Sequence, residues 1–323
     1  MISVDGNHRI GMGHFYRSVN LAINLRKNNH KVVFLTRDST VKELLPKSFK
    51  CQLIKKYSLL KQKKIIDELK SDVIIIDKLK EKTKTIKMLQ KICKNVIAID
   101  YIGKNKKIIE NSINMLYPIS GNTTGSFSGF KFAILNEKFL KTKPIIVKKK
   151  INSLLVIQGG SDTHCFIPKI INALNHLKES MKISVVLGPS FNCWNNLRKA
   201  LKNNTKPLKI YHDVKNMSSL MSKHDIAITG GGMTLLELSY LGIPSIIICG
   251  ENFENETATL MQKKGFGINL GYNSKLSENK ITSITNELIT NYNIRKRMNT
   301  HGKRIVDGKG LRRVSKVIMS FGV

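Results

Sequence analysis

The first residues that could do chemistry lie near the amino terminus, in the stretch Ile10-Gly-Met-Gly-His-Phe-Tyr-Arg17. Gly11 and Gly13 allow tight backbone geometry, so that a ligand can approach main-chain amides closely. These amides and the positive end of a following helix predict a site for a phosphate or a developing oxyanion. His14 would project into that site, where the helix end disfavours imidazolium and keeps the ring able to act as a base. A histidine that merely caps the helix is the alternative interpretation.

A second glycine-rich turn, Thr229-Gly-Gly-Gly-Met-Thr-Leu-Leu-Glu237, also runs from a strand into a helix. Its three glycines expose the backbone to a phosphate group, and Thr234 can add a hydroxyl donor. Glu237 follows among leucines, where a carboxylate needs a partner such as a ribose diol. A salt bridge from Glu237 to a nearby lysine is the structural alternative. The turn matches neither the dinucleotide motif nor a P-loop, which disfavours a dehydrogenase or a kinase.

A third glycine turn, Gln158-Gly-Gly-Ser-Asp162, directly follows the first strand of the second half of the chain. Ligands of open parallel sheets bind outside the carboxyl ends of the strands, so we expect all three turns to open on one side. If the two halves face each other, the turns converge on one cleft. Such convergence is harder to explain by packing than any single turn.

The elements that must position these residues are short β-branched runs, which alternate with amphipathic segments along nearly the whole chain. The runs lie at 32–35, 73–76, 96–99, 154–157, 184–187, 226–228 and 246–248. Continuous apolar runs are typical of buried parallel strands. In the first helical segment, Phe15, Val19, Ala22 and Ile23 share one face. The pattern predicts an α/β protein of two doubly wound parallel-sheet domains facing a cleft.

The two series of strands and helices are separated by residues 136–150, which contain Pro144 and three consecutive lysines. We therefore expect an N-terminal domain at 1–142 and a C-terminal domain at 143–308. The last segment, 309–323, is expected to form a helix that returns to the first domain.

The chain is strongly basic, with 55 Lys and Arg against 22 Asp and Glu among 323 residues, a net charge of +33. Such an excess indicates an anionic partner or an unusual background composition, and we assign most of it to solvated faces. Aromatic residues are only 7%, and no RNA-binding aromatic motif or Cys/His finger is visible. We therefore expect no nucleic-acid partner.

The five cysteines lie far apart and form no Cys-x-x-Cys pair, which predicts free buried thiols and no zinc site. No secretory signal and no apolar run of membrane-spanning length is visible in the sequence. We expect a cytoplasmic protein without stable membrane association, either a monomer or a weak homodimer.

Taken together, these residues resemble a known family of enzymes with the GT-B fold. The segment 210–270 resembles the donor half of the enzyme that adds N-acetylglucosamine to the peptidoglycan lipid precursor. Essentially the whole chain resembles, more closely, the UDP-2,4-diacetamido-2,4,6-trideoxy-β-L-altropyranose hydrolases of pseudaminic acid biosynthesis. The pattern is carried by Asp5, 10–17, 129–135, Phe139, 159–162, 230–237, Glu251-Asn252 and 306–314.

The resemblance, carried over residue by residue, makes His14 the catalytic base. It implies that the first domain holds the sugar and the second holds UDP. Val214 would meet uracil, Glu237 the ribose and residues 231–234 the diphosphate, with Asn252 near the sugar or the phosphate. The full set of implied substrate or UDP contacts is Gly11, Gly13, Arg17, Gly160, Ser161, Val214, Gly231, Gly232, Met233, Thr234, Glu237 and Asn252.

The implied activity is a nucleotide-sugar hydrolase that releases UDP and a free acetamido sugar, with inversion, for nonulosonate and surface-glycan synthesis. It would need no metal and no cofactor. The chain departs from the family at Ser3, at Asp77-Lys-Leu79 and at Phe253, which all lie on the expected sugar side. A GT-B glycosyltransferase using a UDP-sugar donor is the alternative, and a nucleic-acid binder is suggested by charge alone.

Overall fold

The structure, a computed structural model, describes residues 1–6, 12–54, 59–117, 125–212, 214–272 and 276–322. The chain divides into two compact units, Met1–Asn136 with Gly308–Val323 (unit 1) and Glu137–Asp307 (unit 2). Each unit has its own parallel sheet, with helices connecting the strands. The presence of two parallel-sheet α/β domains confirms the predicted fold class.

Unit 1 is built on a sheet in which every described strand pairing is parallel. Its strands are β1 (Ile2–Val4), β2 (Val33–Thr36), β3 (Lys50–Leu53), β4 (Val73–Asp77), β5 (Asn95–Ile99), β6 (Asn111–Asn114) and β7 (Ser126–Ser128). They lie in the order β3-β2-β1-β4-β5-β6-β7. In β4, Ile74, Ile75 and Ile76 are all buried. Strands covered on both faces are continuous apolar runs, which is why the sequence pattern located them.

The helices between these strands are α1 (Gly13–Lys27), α2 (Ser39–Leu44), α3 (Leu59–Leu69) and α4 (Thr83–Ile92). The predicted apolar face of α1 is partly wrong, since Phe15 and Ala22 are buried but Ile23 is 39% exposed. The buried face instead includes Arg17 and Ser18. These polar side chains are inside because both bind a buried carboxylate, described below.

Unit 2 contains a second parallel sheet with the same winding as the first. Its described strands are β8 (Ser153–Ile157), β9 (Lys182–Leu187), β10 (Leu208–His212), β11 (Ile226–Thr229), β12 (Ser245–Ile247) and β13 (Ile268–Asn269). They lie in the order β10-β9-β8-β11-β12-β13. In both sheets the first strand therefore lies between the second and the fourth, as in doubly wound nucleotide-binding folds.

The helices of unit 2 are α5 (Glu137–Leu140), α6 (Phe166–Asn175), α7 (Trp194–Lys202), α8 (Met217–Met221), α9 (Met233–Leu241), α10 (Glu254–Lys263), α11 (Glu278–Thr290) and α12 (Tyr292–Ile305). Four leucines of α9 are fully buried, because a helix that is apolar on most sides must lie inside a domain. Helix α12 packs closely against α9 at Gly302, because a Cβ atom at this position would lie only 2.8 Å from the carbonyl oxygen of Ser239 in α9. Within the described residues, no helix has the length and hydrophobicity needed to cross a membrane.

The last helix, α13 (Gly310–Met319), belongs to unit 1, where it packs against α1. Val314 and Ile318 are buried on its inner face. Gly310 starts this helix against the backbone of Ala133, and a Cβ at Gly310 would overlap the Ala133 carbonyl group. Glycine is therefore required at position 310 for steric reasons.

Cys165 and Cys193 form a disulfide, with their Cα atoms 5.6 Å apart. The prediction that all the cysteines are free thiols is therefore wrong for this pair, whereas Cys51, Cys93 and Cys249 are free. The two cysteines are 28 positions apart in the sequence. They meet because β8 and β9 are neighbours in the sheet, which brings the loops after them together.

We predict that Gly310→Ala lowers the free energy of unfolding by roughly 1–3 kcal/mol, because overpacking a tight contact forces backbone shifts. Urea denaturation measures the change. Gly322→Ala is the matched control, since a Cβ there would be an ordinary 3.6 Å from Val73. Equal stability of the two variants would contradict the steric role of Gly310.

Candidate functional site

The carboxyl ends of the central strands carry the polar residues of each unit. In unit 1, Asp5 follows β1, Asp77 ends β4 and Asp100 follows β5. In unit 2, the turns 158–162 and 230–232 follow β8 and β11, which are neighbours in the sheet. Ligands of doubly wound sheets bind where the strand order reverses, and that point lies beside β1 in unit 1 and beside β8 in unit 2. Each unit thus has a candidate site at its own reversal point.

His14 lies in the first turn of α1, and its Nδ1 atom is 2.7 Å from Oδ1 of Asp77. The Asp77 side chain is fully buried, whereas 15% of the His14 side chain is exposed. Nη2 of Arg17 also lies 2.9 Å from Nδ1, but it donates its hydrogen bond to Oδ1 of Asp77. We assign the ring proton to Nδ1, because an unprotonated nitrogen would repel a carboxylate at this distance. The Nε2 atom then carries the lone pair, where His14 can accept a proton.

The Asp77 carboxylate is held by several donors from α1. Nε of Arg17 lies 3.0 and 3.1 Å from its two oxygens, and the Ser18 hydroxyl donates to Oδ2 at 2.7 Å. Burial alone would raise the pKa of Asp77, but the charges of Arg17 and His14 and their hydrogen bonds lower it well below its usual range. Asp77 is therefore ionised at neutral pH and fixes the ring orientation of His14.

Arg17 connects Asp77 to a second buried carboxylate. Its Nη1 donates to Oδ2 of Asp100, whose Oδ1 accepts hydrogen bonds from the amides of Met115 at 2.7 Å and Leu116 at 2.8 Å. The family resemblance implies a substrate contact for Arg17. Its side chain is only 2% exposed and its guanidinium is bound by both carboxylates, so the geometry favours a role in positioning Asp77.

A second group of charges surrounds Asp5, the residue after β1. Its carboxylate binds Nη2 of Arg37 at 2.6 Å and Nζ of Lys78 at 3.0 Å. Glu81 binds the same two cations at 3.2 and 3.5 Å. Burial alone would raise the pKa of Asp5, but the charges of Lys78 and Arg37 lower it to about 2. Ser3 lines a small cavity with Arg37, Lys78 and Glu81, so two positions at which the chain departs from the hydrolase pattern, Ser3 and Lys78, meet here.

The turn after β11 leads directly into α9, and its role as an anion site stays a prediction. Gly232 precedes α9 and no side chain caps the helix. The first amide groups of a helix have no partner within it, so Met233 and Thr234 present N–H groups at this end. Glu237 is partly buried one turn later, and burial raises its pKa to about 8. Among the described residues, none donates a hydrogen bond to the Glu237 carboxylate.

In the turn after β8, Asp162 stabilises the next helix, whereas Gln158, Gly160 and Ser161 lie at the carboxyl end of the strand. Asp162 caps α6, because its carboxylate oxygens accept hydrogen bonds from the amides of Phe166 and Ile167 at 2.7 and 2.9 Å. Gly160 and Ser161 are partly exposed at the end of the strand. Gln158 approaches the other turn, since a Cβ at Gly230 would lie 3.5 Å from its Oε1 atom.

Glu254, which the sequence analysis did not single out, lies against the glycine turn. Its Oε2 atom accepts hydrogen bonds from the amides of Gly231 at 3.2 Å and Gly250 at 2.8 Å. A Cβ at Gly231 would lie 2.7 Å from the Cβ of Glu254. Burial raises the pKa of Glu254. A carboxylate therefore contacts the turn that was predicted to bind a diphosphate.

The other predicted residues are distributed over both units. Val214 follows β10, which is separated from β11 by β9 and β8, and Asn252 is exposed in the loop before α10. Gly13 is the exposed first residue of α1, and Gly11 lies outside the described residues. Their assigned contacts stay predictions. No cluster of three or more His, Cys, Asp or Glu side chains in the described ranges is placed to hold a metal ion.

Sequence reasoning missed Asp77 as the partner of His14. A signal was present, because Asp5, Asp77 and Asp100 each come at the end of an apolar run. The carboxyl ends of parallel strands meet at one edge of a sheet, so three such residues should lie close together. Glu254 had no comparable signal, because its contact with Gly231 depends on the conformations of two loops.

The comparison with known families agrees with this architecture. Residues 129–309 match the glycosyltransferase family 28 C-terminal domain, which is more than half of the chain. The chain belongs to this family. The chain is also similar to a GT-B protein, the crystal structure of Acinetobacter baumannii MurG, with a TM-score of 0.72 and 12% identity over 99% of this chain and 98% of that one. The fold is therefore GT-B glycosyltransferase-like.

Two curated proteins are related to this family 28 member by sequence. Uncharacterized protein MJ1062 of Methanocaldococcus jannaschii is 33% identical over 274 residues, which is 79% of this chain and 56% of that protein. The chain thus spans about half the length of that relative. Spore coat polysaccharide biosynthesis protein SpsG of Bacillus subtilis is 25% identical over 335 residues, which is 99% of this chain and 97% of that protein.

We predict that Asp5→Asn destabilises the protein at pH 7 by about 2 kcal/mol and that this loss shrinks as the pH falls towards 2. The folded pKa of about 2 lies below the ordinary 3.8, so ionised Asp5 adds stability above about pH 4 that disappears on acidification. Unfolding free energies of both proteins, measured from pH 7 to 2, check this. Asp67→Asn, at an exposed position of α3, is the control. A destabilisation that is the same at both ends of the range contradicts the ion-pair assignment.

Proposed function

We propose that this protein is an enzyme that acts on a UDP-linked acetamido sugar, with unit 2 binding the nucleotide and unit 1 supplying the base. The observation that carries the proposal is the His14–Asp77 pair. The pair combines a buried, ionised carboxylate with a partly exposed imidazole at the carboxyl end of β4, a central strand of unit 1. The arrangement of one group that orients a second is typical of general-base catalysis.

In the proposed hydrolysis, water attacks the anomeric carbon of the sugar while the bond to the UDP oxygen breaks. Nε2 of His14 accepts the proton of the attacking water, and the imidazolium that forms is stabilised by the Asp77 carboxylate. Attack opposite the leaving group inverts the anomeric centre. The products are a free sugar and UDP, whose oxygen takes the electron pair of the broken bond.

Unit 2 contributes binding and electrostatics to this proposal. The amide groups at the start of α9, at Met233 and Thr234, would meet the charge that develops on the diphosphate. Glu237 would bind the ribose hydroxyls. Its raised pKa of about 8 means that the carboxyl group is mostly protonated at neutral pH, so it can donate as well as accept a hydrogen bond. The proposed reaction needs no metal ion and no cofactor.

The biological setting of the proposal is nonulosonate or other surface-glycan synthesis in the cytoplasm, by a monomer or weak homodimer. SpsG, a spore coat polysaccharide biosynthesis protein, aligns with nearly the whole chain and supports a polysaccharide setting. Among the departures from the family pattern, Asp77 binds the proposed base, and Ser3 lines a small cavity with Lys78. In this proposal they bear on which sugar is bound.

A glycosyltransferase is the second candidate, favoured by the family 28 domain and by the shared fold with MurG. The fold and the donor site would be the same in both cases. Only the group that attacks the anomeric carbon differs, since a transferase uses an acceptor hydroxyl in place of water.

We predict that the protein incubated with its UDP-sugar alone releases one UDP per sugar and that His14→Asn lowers kcat about a hundredfold or more. Asparagine keeps a local hydrogen bond but cannot take the proton from water at neutral pH. A screen of UDP-sugars for UDP release, followed by NMR of the product anomer, measures the activity. Release that requires an acceptor favours the transferase, and a folded His14→Asn protein with normal turnover contradicts the base assignment.

Asp77→Asn should lower kcat by about tenfold to a thousandfold while KM stays near the wild-type value, because the carboxylate orients the ring and does not touch the substrate. Circular dichroism at the assay temperature confirms that the variant is folded. Asp67→Asn again serves as the control. A change confined to KM would place Asp77 in substrate binding instead.

For the nucleotide site, we predict that Glu237→Ala weakens UDP binding by roughly 1–3 kcal/mol, the range for lost hydrogen bonds to a charged or strongly polar group. Isothermal titration calorimetry gives the affinity. The loss should appear equally with uridine, because it concerns the ribose and not the phosphates. Unchanged affinity would remove the ribose assignment.

A further inference from the structure

The loops after β11 and β12 together form a concave group of backbone donors. Gly231 in the first loop and Gly250 in the second both direct their amide N–H groups at the carboxylate of Glu254. Converging backbone N–H groups of this kind bind anions in proteins. The anion bound by them in this structure is one of the protein's own side chains.

The arrangement of Glu254 differs from ordinary helix capping. A carboxylate in the first turn of a helix is favourable because of the helix dipole, and Glu256 occupies the same turn of α10 in an exposed position. Glu254 instead reaches to the loop after another strand and lies against Gly231, where even a Cβ atom would be too close. No lysine or arginine in the described part of the chain forms an ion pair with it.

The surroundings of Glu254 are negative as well as buried. Its neighbour Glu251 raises the pKa of Glu254 beyond the effect of burial. Burial raises the pKa of the Cys249 thiol to about 12, and the negative charge of Glu254 contributes to this increase. A negative charge held only by backbone amides is more easily exchanged for another anion than one held by an ion pair.

We propose that the Glu254 carboxylate occupies the position that a phosphate group of the donor takes, and that donor binding displaces it. The inference rests on the proposed function, since it assumes a donor with a diphosphate. A phosphate oxygen accepts the same hydrogen bonds from Gly231 and Gly250, and two anions cannot share them. Glu254 therefore lowers the affinity for the diphosphate part, so that free phosphate binds poorly and the nucleoside contacts become necessary.

The test compares Glu254→Gln with Glu256→Gln, which removes one negative charge from the same helix turn without touching the glycine loops. Glutamine has the size of glutamate and its Oε1 can still accept from the amides, so the loops keep their contact. Calorimetric titrations use UDP, inorganic pyrophosphate and uridine. We expect Glu254→Gln to bind UDP and pyrophosphate about tenfold more tightly, because a like charge at the site is removed. Uridine affinity and all affinities of Glu256→Gln should match the wild type.

The outcomes separate this inference from the proposed function. If UDP binds the wild type but no more tightly to Glu254→Gln, the inference is overturned and the nucleotide site stands. If Glu254→Gln binds pyrophosphate more tightly than the wild type does, but neither protein binds UDP more tightly than pyrophosphate, the anion site stands and the proposed nucleotide site is contradicted. Absence of binding by all probes refutes both. Should the variant not fold, the carboxyl 13C resonance of Glu254 in the wild type must shift on adding pyrophosphate, and an unmoved signal overturns the inference.

Discussion

An ionised carboxylate inside a protein is unstable by several kcal/mol unless its oxygens are fully hydrogen-bonded, and Asp77 is such a group. Arg17 and Ser18 bind it from the buried face of α1, which fixes the rotation of that helix over the sheet. Arg17 must then be neutralised itself, and Asp100 does this from the end of the neighbouring strand β5. Among the described residues, His14 is the only partner of Asp77 that reaches the surface, so the network gives the imidazole one orientation.

The same constraint is met differently in unit 2. Glu254 has backbone amides as donors where Asp77 has a guanidinium, and Glu237 has no donor among the described residues. A carboxylate that is paired with a buried cation is a permanent part of the fold. A carboxylate that lacks a buried cation is held less firmly in its ionised form, as the raised pKa values of both residues indicate. Asp77 is therefore fixed by ion pairs, whereas Glu237 and Glu254 are held without one.

Much of the fold could be predicted from the sequence, because buried parallel strands are uninterrupted apolar runs and the glycine turns follow them directly. Side-chain partnerships could not be predicted in the same way. His14 and Asp77 are 63 positions apart, and Asp77 was noticed only as a departure from a family pattern. Ile23 is exposed because two polar residues of α1 take the inner face in its place. The pairing of Cys165 was hidden because spacing along the chain does not show which loops are neighbours.

The position of α13 has a consequence for the order in which the protein is made. Unit 2 is continuous in the sequence, but unit 1 is completed only by residues 308–322, at the far end of the chain. A polypeptide leaves the ribosome from its amino terminus, so the sheet of unit 1 emerges first and waits for its last helix. Until α13 arrives, the surface of α1 that it covers is open to solvent. Of the two units, unit 1 thus begins to emerge first and is completed last.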